Sequence, residues 1–212
     1  MFKETEIKDR ILHAATAEFA EKGYRGATLR GIAARIDVTA ALINYHFGSK
    51  ERLAEAVIEM QRHAISVPVD GDISCVDSDM SWRALLRSFV NAVIAAFTSA
   101  DYPNCYFAAL YRHEAATIGD KKVTLHDQCL MPVYERLEKI VAMGVKSGDR
   151  YAVRLWSLTL WNLILALALK DGRRVGEYIP EGISPKLFQT LSTDFMIDQV
   201  LSGLHFERAA VA

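Results

Sequence analysis

The chain has 212 residues, of which 51% are hydrophobic, and its formal net charge is −1. This length and apolar content suit one large domain, or a small and a medium one, with a sizeable core. The near-neutral charge excludes a global attraction to nucleic acid, and the longest apolar run, Leu155 to Leu169, is too short and too polar to span a bilayer.

The first predicted element is an amphipathic helix that extends to about Lys22. Its apolar stripe consists of Ile7, Ile11, Leu12, Ala15 and Phe19. Gly23 is expected at the left-handed position that ends the helix, with Tyr24 folding back on Phe19 as in a Schellman motif. The charged opening of the chain lacks the pattern of a signal peptide, so we expect a cytoplasmic protein.

Residues 28–50 have the pattern of a helix-turn-helix, in which two short helices are joined by a tight turn. Three residues of the type that caps helix N-termini, Thr28, Thr39 and Ser49, precede apolar residues at helical spacing. Asp37 stands where a left-handed residue would end the first short helix. A helical hairpin in an all-α domain would explain the apolar residues, but not the polar residues on the outer face of the second helix.

The second helix of such a motif enters the DNA major groove and presents its N-terminal residues to base edges. Asn44 suits an adenine edge, alanine methyls suit thymine, and Tyr45, His46 and Lys50 suit phosphates. Between Glu21 and Arg52 six basic residues stand against three acidic ones, which indicates a modest basic patch. The residues expected to contact DNA are Thr28, Arg30, Thr39, Ala40, Ala41, Asn44, Tyr45, His46 and Lys50.

These residues resemble the amino-terminal signature of the TetR family of bacterial transcriptional regulators. The matching positions are Ala14, Phe19, Gly23, Tyr24, Thr28, Ile32, Ala33, Val38, Tyr45, Phe47, Lys50, Glu51 and Leu53. Asp37 departs from the family's usual Gly, Asn44 from its commoner Tyr, and Gly31 from the acidic residue that often completes the capping box. The Asn-Tyr-His-Phe run is similar to a TetR subgroup with a distinctive carboxyl-terminal domain. The resemblance covers about residues 7–62 and implies a homodimer with a ligand site among the later helices.

The rest of the chain is predicted to be helical, apart from a loop at residues 66–79. Further helices are predicted at 81–98, after Pro103, across 123–143, at 150–170 and at 185–205. We therefore expect an all-α fold of about nine helices, made of a three-helix DNA-binding domain and a larger helical bundle. The expected division is a helix-turn-helix domain at 1–48, a connecting helix at 49–65 and a ligand-binding and dimerisation domain at 66–212.

The last two predicted helices, 150–170 and 185–205, are more apolar than the surface of a monomer should be. Burial inside a bundle would explain this, and so would a four-helix dimer interface on a two-fold axis, which the resemblance implies. The later helices also carry more aromatic residues than a minimal bundle uses. Any single one of them is better explained as core, but as a group they suit an apolar ligand cavity with a few polar groups. Its candidate residues are Trp82, Phe89, Tyr106, Leu110, Tyr111, His113, His126 and Trp156.

The expected function is that of a repressor, without a metal or cofactor, that a small, largely apolar or aromatic ligand releases from a palindromic DNA operator. The alternative is a helical enzyme or sensor that uses a metal ion or a thiol, because His126 and Cys129 are three apart on a predicted helix. The three cysteines are an odd number at unrelated spacings and do not indicate a disulfide framework. No phosphate-binding loop or nucleophile elbow is present, so we expect no enzyme.

Overall fold

A computed structural model describes residues 2–65, 79–115, 124–145 and 149–168, together with residues 182, 184, 194, 195, 198 and 199. Every regular element in these residues is helical, which confirms the all-α fold class. The α-helices there are α1 (Phe2–Gly26), α2 (Leu29–Arg35), α3 (Ala40–Phe47), α4 (Lys50–Ala64), α5 (Asp79–Thr98), α6 (Phe107–Ala115), α7 (Met131–Gly144) and α8 (Arg150–Ala168). A 3-10 turn, Asn104–Tyr106, precedes α6, and a π-helical turn, His126–Leu130, precedes α7. The described residues contain no helix long and apolar enough to cross a membrane.

The helices belong to two compact units. Unit 1 comprises Met1–Ser66 and Ser99–Met131, and unit 2 comprises Val67–Thr98 and Pro132–Ala212. Helices α1 to α4, α6 and the π-helical turn therefore lie in unit 1, whereas α5, α7 and α8 lie in unit 2. The predicted functional boundaries at 48 and 65 stay predictions. The helix predicted at 185–205 lies outside the described residues, except for a few positions.

The three short helices of unit 1 begin at the predicted caps. The hydroxyl of Thr28 accepts a hydrogen bond from the N–H of Gly31 at 3.0 Å, and Thr39 and Ser49 do the same for the third residues after them. Asp37 has a φ of 54°, so it ends α2 in the predicted left-handed conformation. These caps satisfy backbone donors that the short helices cannot pair internally.

Helix α1 is the central helix of unit 1, where it packs against α2, α4 and α6. Its backbone leaves the helical conformation at Gly23, which has a φ of 68°. Tyr24 then stacks on Phe19 with 6.0 Å between the ring centroids, as the Schellman pattern predicts. The core includes side chains from α1, α2, α3 and α4 that are fully buried: Ile11, Ile32, Ile43 and Leu53.

The core of unit 2 is built on α5, whose broad apolar stripe is buried. Trp82 is 4% exposed and donates from Nε1 to the carbonyl oxygen of Ile140 over 2.6 Å. Helix α8 packs against α5 and starts after Asp149, whose carboxylate accepts from the N–H of Tyr151. Pro132 lies in the first turn of α7, where proline is compatible with a helix.

Candidate DNA-binding surface

Helix α3 has one fully buried side chain and an exposed outer face. Ile43 has no exposed surface, whereas Tyr45 is 80% exposed and its ring lies edge-on to that of His46. Among the other predicted DNA contacts, Thr28, Arg30, Thr39, Ala41 and Asn44 are exposed, and Ala40 and Lys50 are half-buried. The outer face of α3 therefore has side chains that can donate and accept hydrogen bonds in a DNA groove.

Lys50, the first residue of α4, is positioned by Tyr24. Its Nζ lies 4.5 Å from the centroid of the Tyr24 ring, a cation–π distance. The Tyr24 hydroxyl in turn donates to Oε1 of Glu51 over 2.8 Å. Burial and this hydrogen bond raise the pKa of Tyr24 to about 12, so the ring remains neutral at physiological pH. The lysine is thereby held at a helix N-terminus, where a phosphate would bind favourably.

A buried carboxylate of α1, that of Glu18, forms an ion pair with Arg35 of α2. The sequence analysis did not predict this contact. Glu18 is 1% exposed, and its two oxygens accept from Lys22 Nζ at 2.6 Å and from Arg35 Nε at 2.8 Å. Burial raises the pKa of Glu18, but the hydrogen bonds with Lys22 and Arg35 outweigh it, so the pKa lies below its ordinary value of 4.5. Arg35 also pairs with Glu21. Two of the six bases counted in the predicted basic patch therefore face carboxylates of α1.

The predicted ligand-binding residues are distributed over both units. In unit 2, Trp82 and Phe89 are buried, and Trp156 is half-buried. The indole of Trp82 occupies the position that a Cβ would take at Gly144, so this ring packs in the core. In unit 1, the ring of Tyr106 lies edge-on to that of Tyr102. Two further candidates, Leu110 and His113, line a cavity.

This cavity of about 50 Å³ lies in unit 1, between α1, α4 and α6. It brings Leu110 and His113 together, whereas Tyr111 stacks on Phe107 and His126 pairs with Asp127. The lining residues that sequence reasoning missed are Phe19, Tyr24, Ala54, Val57, Ile58, Glu114 and Leu125. A cavity that binds benzene measures about 150 Å³, so an aromatic ligand would require this one to widen.

The chemistry of Cys129 does not favour the alternative of a thiol or metal site. The side chain is 3% exposed, its Sγ lies 3.9 Å from the carbonyl oxygen of Ile58, and burial raises its pKa to about 12. His126, by contrast, is exposed and pairs with Asp127 over 3.2 Å. No group of three His, Cys, Asp or Glu side chains in the described part of the chain is placed to hold a metal ion. A protonated, buried thiol is a poor nucleophile and a poor metal ligand.

A family model described as bacterial regulatory proteins, tetR family, matches residues 11–57, the segment that contains the capped helices and the exposed face of α3. Over residues 11–57 the chain matches the TetR family. The resemblance predicted from the amino-terminal signature is thus confirmed for this segment.

Relatives with curated names are similar over part of their length. The HTH-type transcriptional regulator SrpR of Pseudomonas putida is 25% identical over 139 residues, which are 66% of this chain and 63% of SrpR. TtgW of the same species is 30% identical over 88 residues, or 42% of this chain and 63% of TtgW. The transcriptional repressor SCO4008 of Streptomyces coelicolor is 46% identical over 67 residues, or 31% and 35% of the two chains. The chain therefore spans less than two thirds of each of these relatives.

Solved structures of transcriptional regulators share the fold along nearly the whole chain. FadR of Bacillus subtilis, crystallised with stearoyl-CoA, has a TM-score of 0.63 and 16% identity, with 92% of this chain and 97% of FadR covered. The hemolysin II regulator HlyIIR has a TM-score of 0.61 and 18% identity, with coverage of 94% and 97%. At these identities the likeness shows the fold alone.

Proposed function

We propose that this chain is a transcriptional repressor that binds a palindromic DNA operator as a homodimer and is released by a small, largely apolar or aromatic ligand. The observation that carries the DNA-binding part is the exposed outer face of α3, where Asn44 and Tyr45 directly follow the fully buried Ile43. A helix that packs on its domain through a buried apolar side chain and exposes polar groups on the opposite side can insert into a major groove.

Asn44 and Lys50 have separable roles in this proposal. The exposed amide of Asn44 can form two hydrogen bonds with an adenine edge, which reads sequence. Lys50 can contact a phosphate, which contributes affinity for any sequence and releases counterions.

The test compares two duplexes, one selected by the wild-type protein from a random-sequence pool and one of unrelated sequence. Asn44→Ala should cost about 1–3 kcal/mol of binding free energy on the selected duplex and little on the unrelated one. Lys50→Ala should weaken binding to both and reduce the slope of log K against log salt by about one. Asn91→Ala and Lys139→Ala, at exposed positions of α5 and α7, serve as matched controls. Equal losses for Asn44→Ala on both duplexes would reject base reading.

The proposed dimer interface includes an exposed apolar face of α8. Tyr151, Leu155 and Leu158 are 84%, 64% and 41% exposed, and their spacing places them along one side of the helix. The opposite side, with Leu160 and Ile164, is buried. Phe195, within the predicted segment 185–205, is also 65% exposed. A second copy that packs on a two-fold axis would cover this apolar surface.

Leu155→Lys is expected to shift the protein from dimer to monomer, because the dimer would bury an unpaired ammonium group. Sedimentation velocity over a range of concentrations measures this shift. Ser88→Lys, at an exposed position of α5, is the control and should leave the mass unchanged. A wild-type protein that sediments as a monomer at micromolar concentration contradicts the proposed interface.

The ligand switch is supported by buried polar groups that lack partners. Within the described residues of unit 2, the hydroxyls of Tyr134 and Ser157 and the indole N–H of Trp156 have no hydrogen-bond partner. Buried groups of this kind are normally paired, so a polar ligand group or a water would satisfy them. To change the ratio of the DNA-binding state to the other state from 99:1 to 1:99, a ligand must favour the other state. The difference in its binding free energy between the two states must be about 5.5 kcal/mol.

Titration with stearoyl-CoA, the ligand of the similar FadR structure, is a first test of the switch. If this compound is an inducer, operator DNA must weaken its binding by the same factor by which it weakens DNA binding. Equal dissociation constants with and without the selected duplex would exclude it as the inducer.

A further inference from the structure

The buried carboxylate of Glu18 joins α1 to two positions of α2. One oxygen accepts from Lys22 of α1, and the other from Arg35 in the last turn of α2. Near the start of α2, the position that a Cβ would take at Gly31 is already occupied by Oε1 of Glu18. The carboxylate therefore lies along α2, between Gly31 and Arg35.

The glycine at position 31 is what allows this arrangement. Position 31 is the third residue of α2, where a glutamate would complete a capping box with Thr28. A Cβ there would require the carboxylate of Glu18 to shift from the position in which it accepts from Lys22 and Arg35. The acidic group that α2 lacks in its own first turn is thus provided from α1.

We propose that Glu18 is a positioning residue for DNA binding, because its carboxylate fixes the orientation of α2 on α1. The inference rests on the proposed DNA-binding function. Helix α3 packs against α2, so the orientation of α2 determines where the side chains of α3 point. A buried ion pair contributes little net stability compared with apolar residues of similar volume, and its better attested effect is to select one geometry.

Glu18→Gln keeps the shape of the side chain and removes its charge, which makes it the central variant. Glu21→Gln is the matched control, because Glu21 pairs with the same Arg35 from an exposed position. A second set, Glu18→Leu, Gly31→Glu and the double variant, moves the carboxylate from α1 to α2. In the double variant the new glutamate stands four residues before Arg35 and three after Thr28, at the spacings for an ion pair and a capping box.

Three readouts separate positioning from a general loss of stability. They are the dissociation constant for the duplex that the wild type selects, amide hydrogen exchange in α2 and α3 without DNA, and the thermal midpoint. Well below the thermal midpoint, Glu18→Gln should weaken DNA binding about fivefold or more and speed exchange in α2 and α3 but not in α7. Glu21→Gln should change the dissociation constant by less than about twofold.

The double variant should bind DNA more tightly than Gly31→Glu alone, since that single variant places two carboxylates in one space. The proposal would be overturned if Glu18→Leu and Gly31→Glu had additive effects on the free energy of DNA binding. It would also be overturned if amide hydrogen exchange rose equally in all helices after Glu18→Gln. DNA affinity of Glu18→Gln equal to that of the wild type would also overturn it. If the wild type selects no duplex, the proposed DNA-binding function fails, and hydrogen exchange still shows whether Glu18 orients α2.

Discussion

Replacing Gly144 with alanine tests whether Trp82 is a packed core residue of unit 2 or lines an open ligand cavity. The position of the new Cβ falls on the six-membered ring of the indole, at Cε2, Cζ2 and Cη2. This ring is rigid, and its Nε1 is held by the carbonyl oxygen of Ile140 at 2.6 Å. The methyl group therefore forces the whole indole to move, which weakens that hydrogen bond.

The expected loss follows from two opposing effects. Overpacking a well-packed core costs about 1–3 kcal/mol. Replacing glycine with alanine raises the free energy of unfolding by about 0.4–1 kcal/mol, because the unfolded chain then has fewer conformations to lose on folding. The middle of each range gives a fall of about 1.3 kcal/mol in the free energy of unfolding of Gly144→Ala. This lowers the thermal midpoint by about 2–4 °C per kcal/mol for a chain of this size.

The matched control is Gly26→Ala, because Gly26 is the last residue of α1 as Gly144 is the last of α7. Its added Cβ meets only the Cβ of Lys22, at a van der Waals distance of 3.4 Å, so this variant should gain stability. Thermal and urea unfolding followed by circular dichroism measures both variants, and tryptophan fluorescence reports on the indole. If Gly144→Ala is as stable as the wild type, the indole has room to move and Trp82 is again a ligand candidate.

Two further predictions concern titratable groups. In a Cys75→Ser background, a thiol reagent at about pH 8 should modify the exposed Cys105 and leave Cys129 intact until the protein unfolds, because the pKa of Cys129 is about 12. Rapid modification of Cys129 in the folded protein, measured by mass spectrometry, would contradict its burial. Because the pKa of Glu18 is lowered on folding, its stabilisation is complete above the ordinary value of 4.5 and is lost as the pH falls through the folded value. Urea unfolding should show a steeper acid loss for the wild type than for Glu18→Gln, and parallel curves would refute this.

The helices of unit 1 could be predicted because their signals are local. The cap at Thr28 is a hydrogen bond with an N–H three residues later, and the left-handed Asp37 lies just after the end of α2. Both features depend only on neighbouring residues, and both occur as expected. The π-helical turn at His126–Leu130 was not predicted, since its start depends on a distant group. The carboxylate of Glu114 accepts from the N–H groups of Leu125 and His126, eleven and twelve residues later in the chain.

The role of Glu18 could not be predicted from periodicity for a related reason. From sequence alone, a glutamate four residues before a lysine indicates an ion pair on the exposed face of a helix. Glu18 and Lys22 have this spacing. Arg35 and Gly31 become neighbours of the Glu18 carboxylate only after α2 packs on α1. The same limit applies to the cavity, because its lining combines α1 and α4 with α6.

Within unit 1, α6 contacts the part of α1 that lies next to the candidate DNA-binding surface. His113 of α6 lies 3.0 Å from the position of a Cβ at Gly23, and that glycine has a φ of 68°, so a larger residue would be both strained and crowded. Tyr24, the next residue, faces Lys50 and Glu51 at the start of α4. A displacement of His113 would therefore act on the one point where α1 leaves the helical conformation, directly beside the ring that positions Lys50. Within unit 1, this contact is a short physical route by which a change at the cavity could reach a residue proposed to bind phosphate.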